Sequence, residues 1–375
     1  MKSAQKSVTY RCVTVILSAI LVVVSLSLTG CSFQSLIPSG VIQNSSSQTT
    51  ADGQGSTASP STGTAGNVSV EQTNKPTVLP TYRNPLTGLT SPADLSWVRP
   101  VAVCIGNAAD VRSQYGIGSA EILVEAPVED GTTRLLALTN NYTKVSKFGA
   151  IRSARGYLFS LAEAFGAVSV CDGTSDNGAR TETTVYDELD AKGGGLSTVF
   201  FRESELFTSG TRLLGAMENF AKRGPTTLFS FHPEDEPVTP EGGTAGGVAI
   251  PFSSSHIVQF VYHRENGQYM RMQNGKPHTA TESGEQLGFT NLLLLICESS
   301  TYNKVSGTEL DLNVTDGGTG YYLSAGGYVE ILWSRSENGA LTVTDMTGEP
   351  ITLNSGSTYI GLIDLLVSSS IIIVQ

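Results

Sequence analysis

Residues 119–138 read SAEILVEAPVEDGTTRLLAL, and how they are read settles the fold class expected of the chain. Two short apolar runs, 122–126 and 134–139, are separated by the polar Glu129-Asp130-Gly131, as strands reversed by a turn would be. Runs of the same kind lie at 100–105 and 167–171. Between them Ala154, Tyr157, Leu158, Leu161, Ala164 and Phe165 recur at helical spacing, with Ser153 as N-cap and Gly166 as the stop. A second helix is expected over 208–222, turning Leu213, Leu214, Met217 and Phe220 inward and ending at Gly224-Pro225. Strands mixed with helices predict an N-terminal domain of mixed α/β (α+β) class.

The pattern then changes. Residues 232–251 are rich in Pro, Gly and Glu and poor in apolar side chains, which places a domain boundary there. Alternation at 256–262, 268–272, 328–333 and 341–344, with a turn at Glu337-Asn338-Gly339, predicts β-structure almost throughout the remainder. The apolar end, 360–374, holds Asp364 and three serines and is too short to span a bilayer, so it reads as terminal strands. The expected organisation is an N-terminal domain over 77–235, a linker over 236–251 and a mainly β C-terminal domain over 252–375.

Ahead of these, Lys2, Lys6 and Arg11 precede an apolar run at 13–28 with no acidic residue, the order of a secretory signal peptide. Leu28-Thr29-Gly30-Cys31 resembles the lipobox of bacterial lipoproteins, so residues 1–30 are expected to be removed and Cys31 to carry acyl chains. An uncleaved N-terminal anchor would leave the rest of the chain on the same side. Residues 31–76 are the lipidated cysteine and a Ser/Thr/Gly/Gln tether that lacks the apolar content for a core. About 45 flexible residues reach roughly 35 to 40 Å. The expected location is the extracytoplasmic face of the cell membrane, held by the lipid anchor.

The chain has 23 basic and 34 acidic residues, and loss of the three basic residues before Cys31 leaves 20 against 34, a net charge of −14. Phosphate backbones and anionic bilayers repel such a balance unless a local basic patch overrides it, so nucleic acid is not an expected partner. Cys104, Cys171 and Cys297 are odd in number and give no disulfide framework; Cys104 and Cys171 each end an apolar run and could meet at the ends of neighbouring strands, bonded or, as the favoured reading has it, as buried free thiols. The four histidines, at 232, 256, 263 and 278, fit no zinc motif, and neither a metal nor a cofactor is expected.

NPLTG at 84–88, RPVAV at 99–103, the stretch from Ser119 and GAIRSARGY at 149–157 together resemble the YerB-like lipoprotein family in order and spacing. The similarity continues in Phe201-Arg202-Glu203, in NGKPHTATESGEQL from Asn274 and in the segment from Glu330 onward. It implies a signal, a tether, an α/β N-terminal domain and a β-rich C-terminal domain outside Gram-positive-type cells. It implies no chemistry, because the family's domains have no assigned activity. Two histidine-bearing loops usual in relatives are missing: Cys171-Asp172-Gly173-Thr174-Ser175-Asp176 replaces one, and Arg202-Glu203 runs without the other into Thr208-Ser209-Gly210.

The constellation that could carry a function is Arg152-Ser153-Ala154-Arg155 at the expected helix start. Two guanidinium groups beside a helix N-terminus need an anion to answer them. It could be internal, from Glu125, Glu129 or Asp130, or a ligand held by Arg152, Ser153 and Arg155 with Arg134 and Arg202, where Asp172 and Thr174 line the mouth. Such a ligand would be an anionic cell-wall component, a phosphate or carboxylate, and a membrane-protein partner is the other candidate. Gly-x-Ser-x-Gly is absent, and Ser153 reads as a helix cap before a nucleophile. His278, Trp333 and Arg335 stand isolated, the first as a solvated histidine and the others as a sheet-face stack. Two readings follow: a non-catalytic binding or scaffold module, or an enzyme acting on phosphorylated cell-wall precursors. Asp172, Asp130 and Glu125 gathered around a divalent cation would favour the enzyme, and their dispersal onto separate arginines the binder.

Overall fold

The computed structural model describes residues 81–108, 111, 113–173, 186–193, 198–226, 229–304, 307–336 and 339–375. The expected signal peptide, Cys31, the tether and Thr174 lie outside the described residues, as does the side chain of Asp130.

In chain order the principal strands of the first half are β1 (Val101–Gly106), β2 (Ile122–Pro127), β3 (Thr133–Thr139), β4 (Val168–Cys171) and β5 (Glu188–Asp190). The second half supplies β6 (Gly243–Thr244), β7 (Gly247–Ser253), β8 (His256–His263), β9 (Gln268–Gln273), β10 (Asn291–Cys297), β11 (Ser299–Lys304) and β12 (Gly307–Leu312). It continues with β13 (Gly318–Ser324), β14 (Gly327–Arg335), β15 (Leu341–Asp345), β16 (Thr358–Asp364) and β17 (Ile372–Val374). Among the described residues, α-helix is confined to α1 (Gly156–Ala164), α2 (Gly210–Met217) and the four-residue α3 (Leu365–Ser368), and none is long and apolar enough to cross a membrane.

The described residues are therefore mostly β, with 46% strand and 11% helix, and the mixed α/β N-terminal domain expected from the sequence is not seen among them. The reason lies in β1 and β2, which are buried along their whole length and so read as strands covered by helices on both faces. One face is covered by α1. The other lies largely under a second sheet, with Leu213, Ala216 and Met217 of α2 in the same core.

The larger sheet has eleven strands in the order β6-β14-β13-β10-β16-β2-β3-β1-β4-β5, with β15 paired to β14. Its order does not follow the chain: β16, near the C-terminus, runs parallel to both β10 and β2, with Tyr359 opposite Leu292 and Leu123. Residues 236–251, read from sequence as a linker, carry β6 and the start of β7, both paired. The second sheet has six strands, with β9-β8-β7-β17 at its centre and two-residue strands Lys276–Pro277 and Gly288–Phe289 on β9.

Strand alternation sends successive residues to opposite faces and produces two cores. Val103, Leu123, Leu135, Ala137 and Tyr359 meet Val258, Phe260, Tyr269 and Phe289 of the six-stranded side. Ala102, Cys104, Val124, Leu136 and Ile360 meet Tyr157, Leu158, Leu161 and Phe165 on or beside α1. Cys104, Cys171 and Cys297 are free and buried.

The helices are shorter than their sequence periodicity suggests. Arg155 takes the N-cap position of α1 with extended backbone (φ −107, ψ 156), so Ser153 does not cap it. Instead the Ser153 carbonyl accepts from the Cys104 thiol at 3.5 Å. Gly166 does end the helix, at φ +69, its N–H bonding the Glu163 carbonyl at 2.7 Å. In α2, Ser209 is the cap and accepts from the Arg212 N–H at 3.4 Å. Leu213, Ala216 and Met217 fill its single buried stripe, while Leu214, expected to point inward, is 51% exposed.

Candidate functional site

Arg134 opens β3, opposite Gly106 of β1 and Ala126 of β2, and so projects on the α1 face of the sheet. The segment before α1 crosses the end of β1: Ile151 bridges Ile105, and the Arg152 N–H donates to the Cys104 carbonyl at 3.0 Å. A glycine is needed at 106, since a Cβ there would lie 2.9 Å from Cγ of Arg152. The local backbone thus brings Arg134, Arg152 and Arg155 together around the buried Cys104 thiol.

Two carboxylates answer this cluster. Arg155 is held in a fork by Glu129, Nε to Oε1 at 3.0 Å and a terminal nitrogen to Oε2, and the Leu310 N–H also donates to Oε1 at 3.1 Å. Burial alone would push the Glu129 carboxyl up, but the Arg155 fork outweighs it and holds it below the usual range. Arg152 pairs with Glu205 at 2.7 Å, both side chains nearly a third exposed. Arg202 is 3.8 Å from Asp172, too long for a hydrogen bond, and is 64% exposed.

Arg134 is different. It is half-buried; a terminal nitrogen donates weakly to the Thr133 carbonyl at 3.5 Å, but its Nε is out of contact with solvent and has no hydrogen-bond partner among the described residues. Burial, followed among the opposing charges by Arg155 and Arg152, pulls its pKa below the usual arginine value against Cys104 and Glu129. The thiol gives no real relief, because burial pushes Cys104 up to about 11 and leaves it neutral at ordinary pH.

Glu125, read from sequence as one possible partner of these arginines, takes no part. It is one residue out of phase with Ala126 and Arg134, points to the opposite face and is wholly buried there. Its Oε1 accepts from Asn107 at 3.0 Å and Thr133 at 2.7 Å and contacts Nε2 of His256 at 2.9 Å. Its Oε2 accepts from Arg271 at 2.6 Å and Tyr359 at 2.9 Å. Burial pushes the carboxyl up, but Arg271, His256 and Thr133 outweigh it and hold it well below the ordinary range. Sequence reasoning missed Arg271 and Tyr359. The available signal was Arg271 two residues from Tyr269, a charge on the inward phase of a strand, with Glu125 likewise set in an apolar run.

Of the remaining candidates, Asp172 meets the cluster through its N–H, which donates to the Arg152 carbonyl at 3.1 Å. His278, read from sequence as solvated, is buried, with Nε2 at 2.5 Å from Gln114 Oε1. Trp333 is buried and donates to the Ile296 carbonyl at 3.1 Å, and Arg335 donates to that of Ser160 at 3.1 Å. Among the described residues no group of three or more His, Cys, Asp or Glu side chains is placed to hold a metal.

With this geometry in place, the similarity to known proteins can be stated. A family model described as the N-terminal domain of DUF3048, a protein of unknown function, matches residues 86–224, and its C-terminal counterpart matches residues 248–360. YerB of Bacillus subtilis (strain 168), named as an inferred lipoprotein, is 25% identical over 303 residues, 76% of this chain and 88% of that protein. The crystal structure of B. subtilis YerB matches with a TM-score of 0.65 at 24% identity, covering 78% of this chain and 99% of that one. That likeness bears on the fold alone.

Proposed function

This chain belongs to the YerB-like family of DUF3048 proteins, and on that premise we propose that it is a lipid-anchored envelope protein that binds an anionic ligand without transforming it. The observation that carries this reading is the Nε of Arg134, buried without a partner beside two more guanidinium groups. Among the described residues Arg155 pairs with Glu129 and Arg152 with Glu205, while Arg134 has no ion pair, in a protein that is acidic as a whole. A phosphate or carboxylate of an extracellular wall polymer would supply the missing acceptor, since guanidinium groups suit such oxyanions in number and geometry.

The enzymatic alternative would need carboxylates gathered about a cation. Glu125 lies on the other sheet face with Arg271, while Asp172 stands near Arg202, and this dispersal supports a binder. The lipid anchor is supported by the residues before Cys31 and by the relative's name, and an anchor there would leave the folded part on the outer side of the membrane.

Thermal unfolding of the full chain in detergent tests the ligand. Inorganic phosphate and poly(glycerol phosphate) are expected to raise the Tm of the wild type and not that of Arg134→Met. Equal stabilisation of both proteins would remove the site. For the anchor, Cys31→Ser is expected to release the protein from membranes or to leave an unprocessed precursor. Normal processing with unchanged membrane retention would contradict it.

A further inference from the structure

Away from the arginines, a cleft of about 460 Å³ opens between the first turns of α1, the residues after β10, and β12. Its volume is within the ~300–1,000 Å³ of sites that take small ligands. Tyr186 forms part of the wall, and its ring is stacked on Phe159, centroids 5.7 Å apart at 20°, while Phe159 itself does not line the cleft. Glu298, Asp311, Ser300 and Thr315 line it as well. None of the described residues lining the cleft is basic.

We propose that this cleft is a saccharide-binding site for a sugar chain that bears no acidic group. A braced aromatic ring offers a rigid apolar surface to the C–H face of a pyranose. Carboxylates accept hydrogen bonds from sugar hydroxyls, and serine and threonine hydroxyls can donate or accept in return. The charge of the cleft points the same way, because Glu298 and Asp311 would repel a phosphorylated or uronic sugar and attract an amine. Asp311 is half-buried, its carboxyl pushed up by that burial, with no ion pair to a basic residue among the described residues. A bound hydroxyl or ammonium would relieve it. The ligand here is therefore opposite in charge to the one proposed at Arg134, and the site does not depend on that reading.

Calorimetric titration of the full chain with chitobiose, with N,N′-diacetylchitobiose and with glucose 6-phosphate tests the proposal. Both disaccharides are expected to bind with Kd on the order of a millimolar or tighter, the free amine tighter than the acetylated form, and the phosphosugar not at this cleft. Asp311→Asn should weaken chitobiose about tenfold, the loss of roughly one charge-assisted contact, and the acetylated sugar less. Tyr186→Leu should weaken both alike. If either variant proves unfolded by its melting curve, Ser300→Ala, at an exposed position, serves in its place with a severalfold loss expected. Failure of both disaccharides to bind the wild type, or competition by glucose 6-phosphate for the same cleft, would overturn the saccharide site. Retained stabilisation by inorganic phosphate in Asp311→Asn would show that the Arg134 reading stands or falls separately.

Discussion

The two faces of the large sheet treat buried charge in opposite ways. On one, Glu125 and Arg271 are wholly buried together, and five side chains share the two oxygens of the carboxylate. On the other, Arg134, Arg152 and Arg155 crowd the ends of β1 and β3 with Glu129 and Glu205, and the Nε of Arg134 is left over. The first arrangement has the marks of a structural tie: the Nε of Arg271 also lacks a partner, but its charge is answered directly by Glu125, which joins β2 of the first half to β9 and β16 of the second. The second is open on the acceptor side. Among the described residues Arg134 has no ion pair of its own, and a half-buried cation so placed is where a ligand is to be sought.

The contrast can be broken by removing cations one at a time. Arg271→Met leaves Glu125 buried without its charge partner and should lower stability by about 3–5 kcal/mol in urea unfolding. A loss under about 1 kcal/mol would mean that the network is not a tie. The same pair sets an acid dependence. Because the folded carboxyl is held below its unfolded value of about 4.3, its contribution is fully present above that value. It drains away as the pH falls toward the depressed folded value. Urea midpoints measured from pH 6 down to pH 2.5 should fall in the wild type and show a flatter or reversed slope in Arg271→Met.

Arg155→Gln should cost less, roughly 1.5–3 kcal/mol, because Glu129 keeps the Leu310 N–H and some solvent contact. A cost equal to that of Arg271→Met would erase the difference between the faces. Arg152→Gln should cost under about 1 kcal/mol, its pair with Glu205 being partly exposed and screened. Raising the salt concentration should shrink that effect further, and a salt-independent loss would place the pair in the core.

Much of this division is latent in strand parity. The runs at 100–105, 122–126 and 134–139 are legible as strands, and the one-residue offset between Glu125 and Ala126 already sends them to opposite faces. What lies across each face is not local information. Strands buried on both sides read alike under helices or under a second sheet, and the α/β expectation failed there. Ser153 failed as a cap for a different reason: Arg155 stays extended, so the helix starts at Gly156. The Arg155–Glu129 pair was within reach of sequence reasoning because Glu129 follows β2 and Arg155 precedes α1 only 26 residues further along the chain. Arg271 and Tyr359 come from strands that the sequence separates from Glu125 by 146 and 234 residues.

The anion site on the α1 face depends on Arg134, and the unliganded stability of Arg134→Met is its sharpest probe. Methionine keeps the apolar stem and removes only the charge. Urea unfolding without added anions should find the variant level with the wild type or up to about 1 kcal/mol more stable, since a half-buried cation without a carboxylate partner has been removed. A loss of about 3 kcal/mol or more would show that Arg134 is tied into the fold after all, and would contradict the anion site.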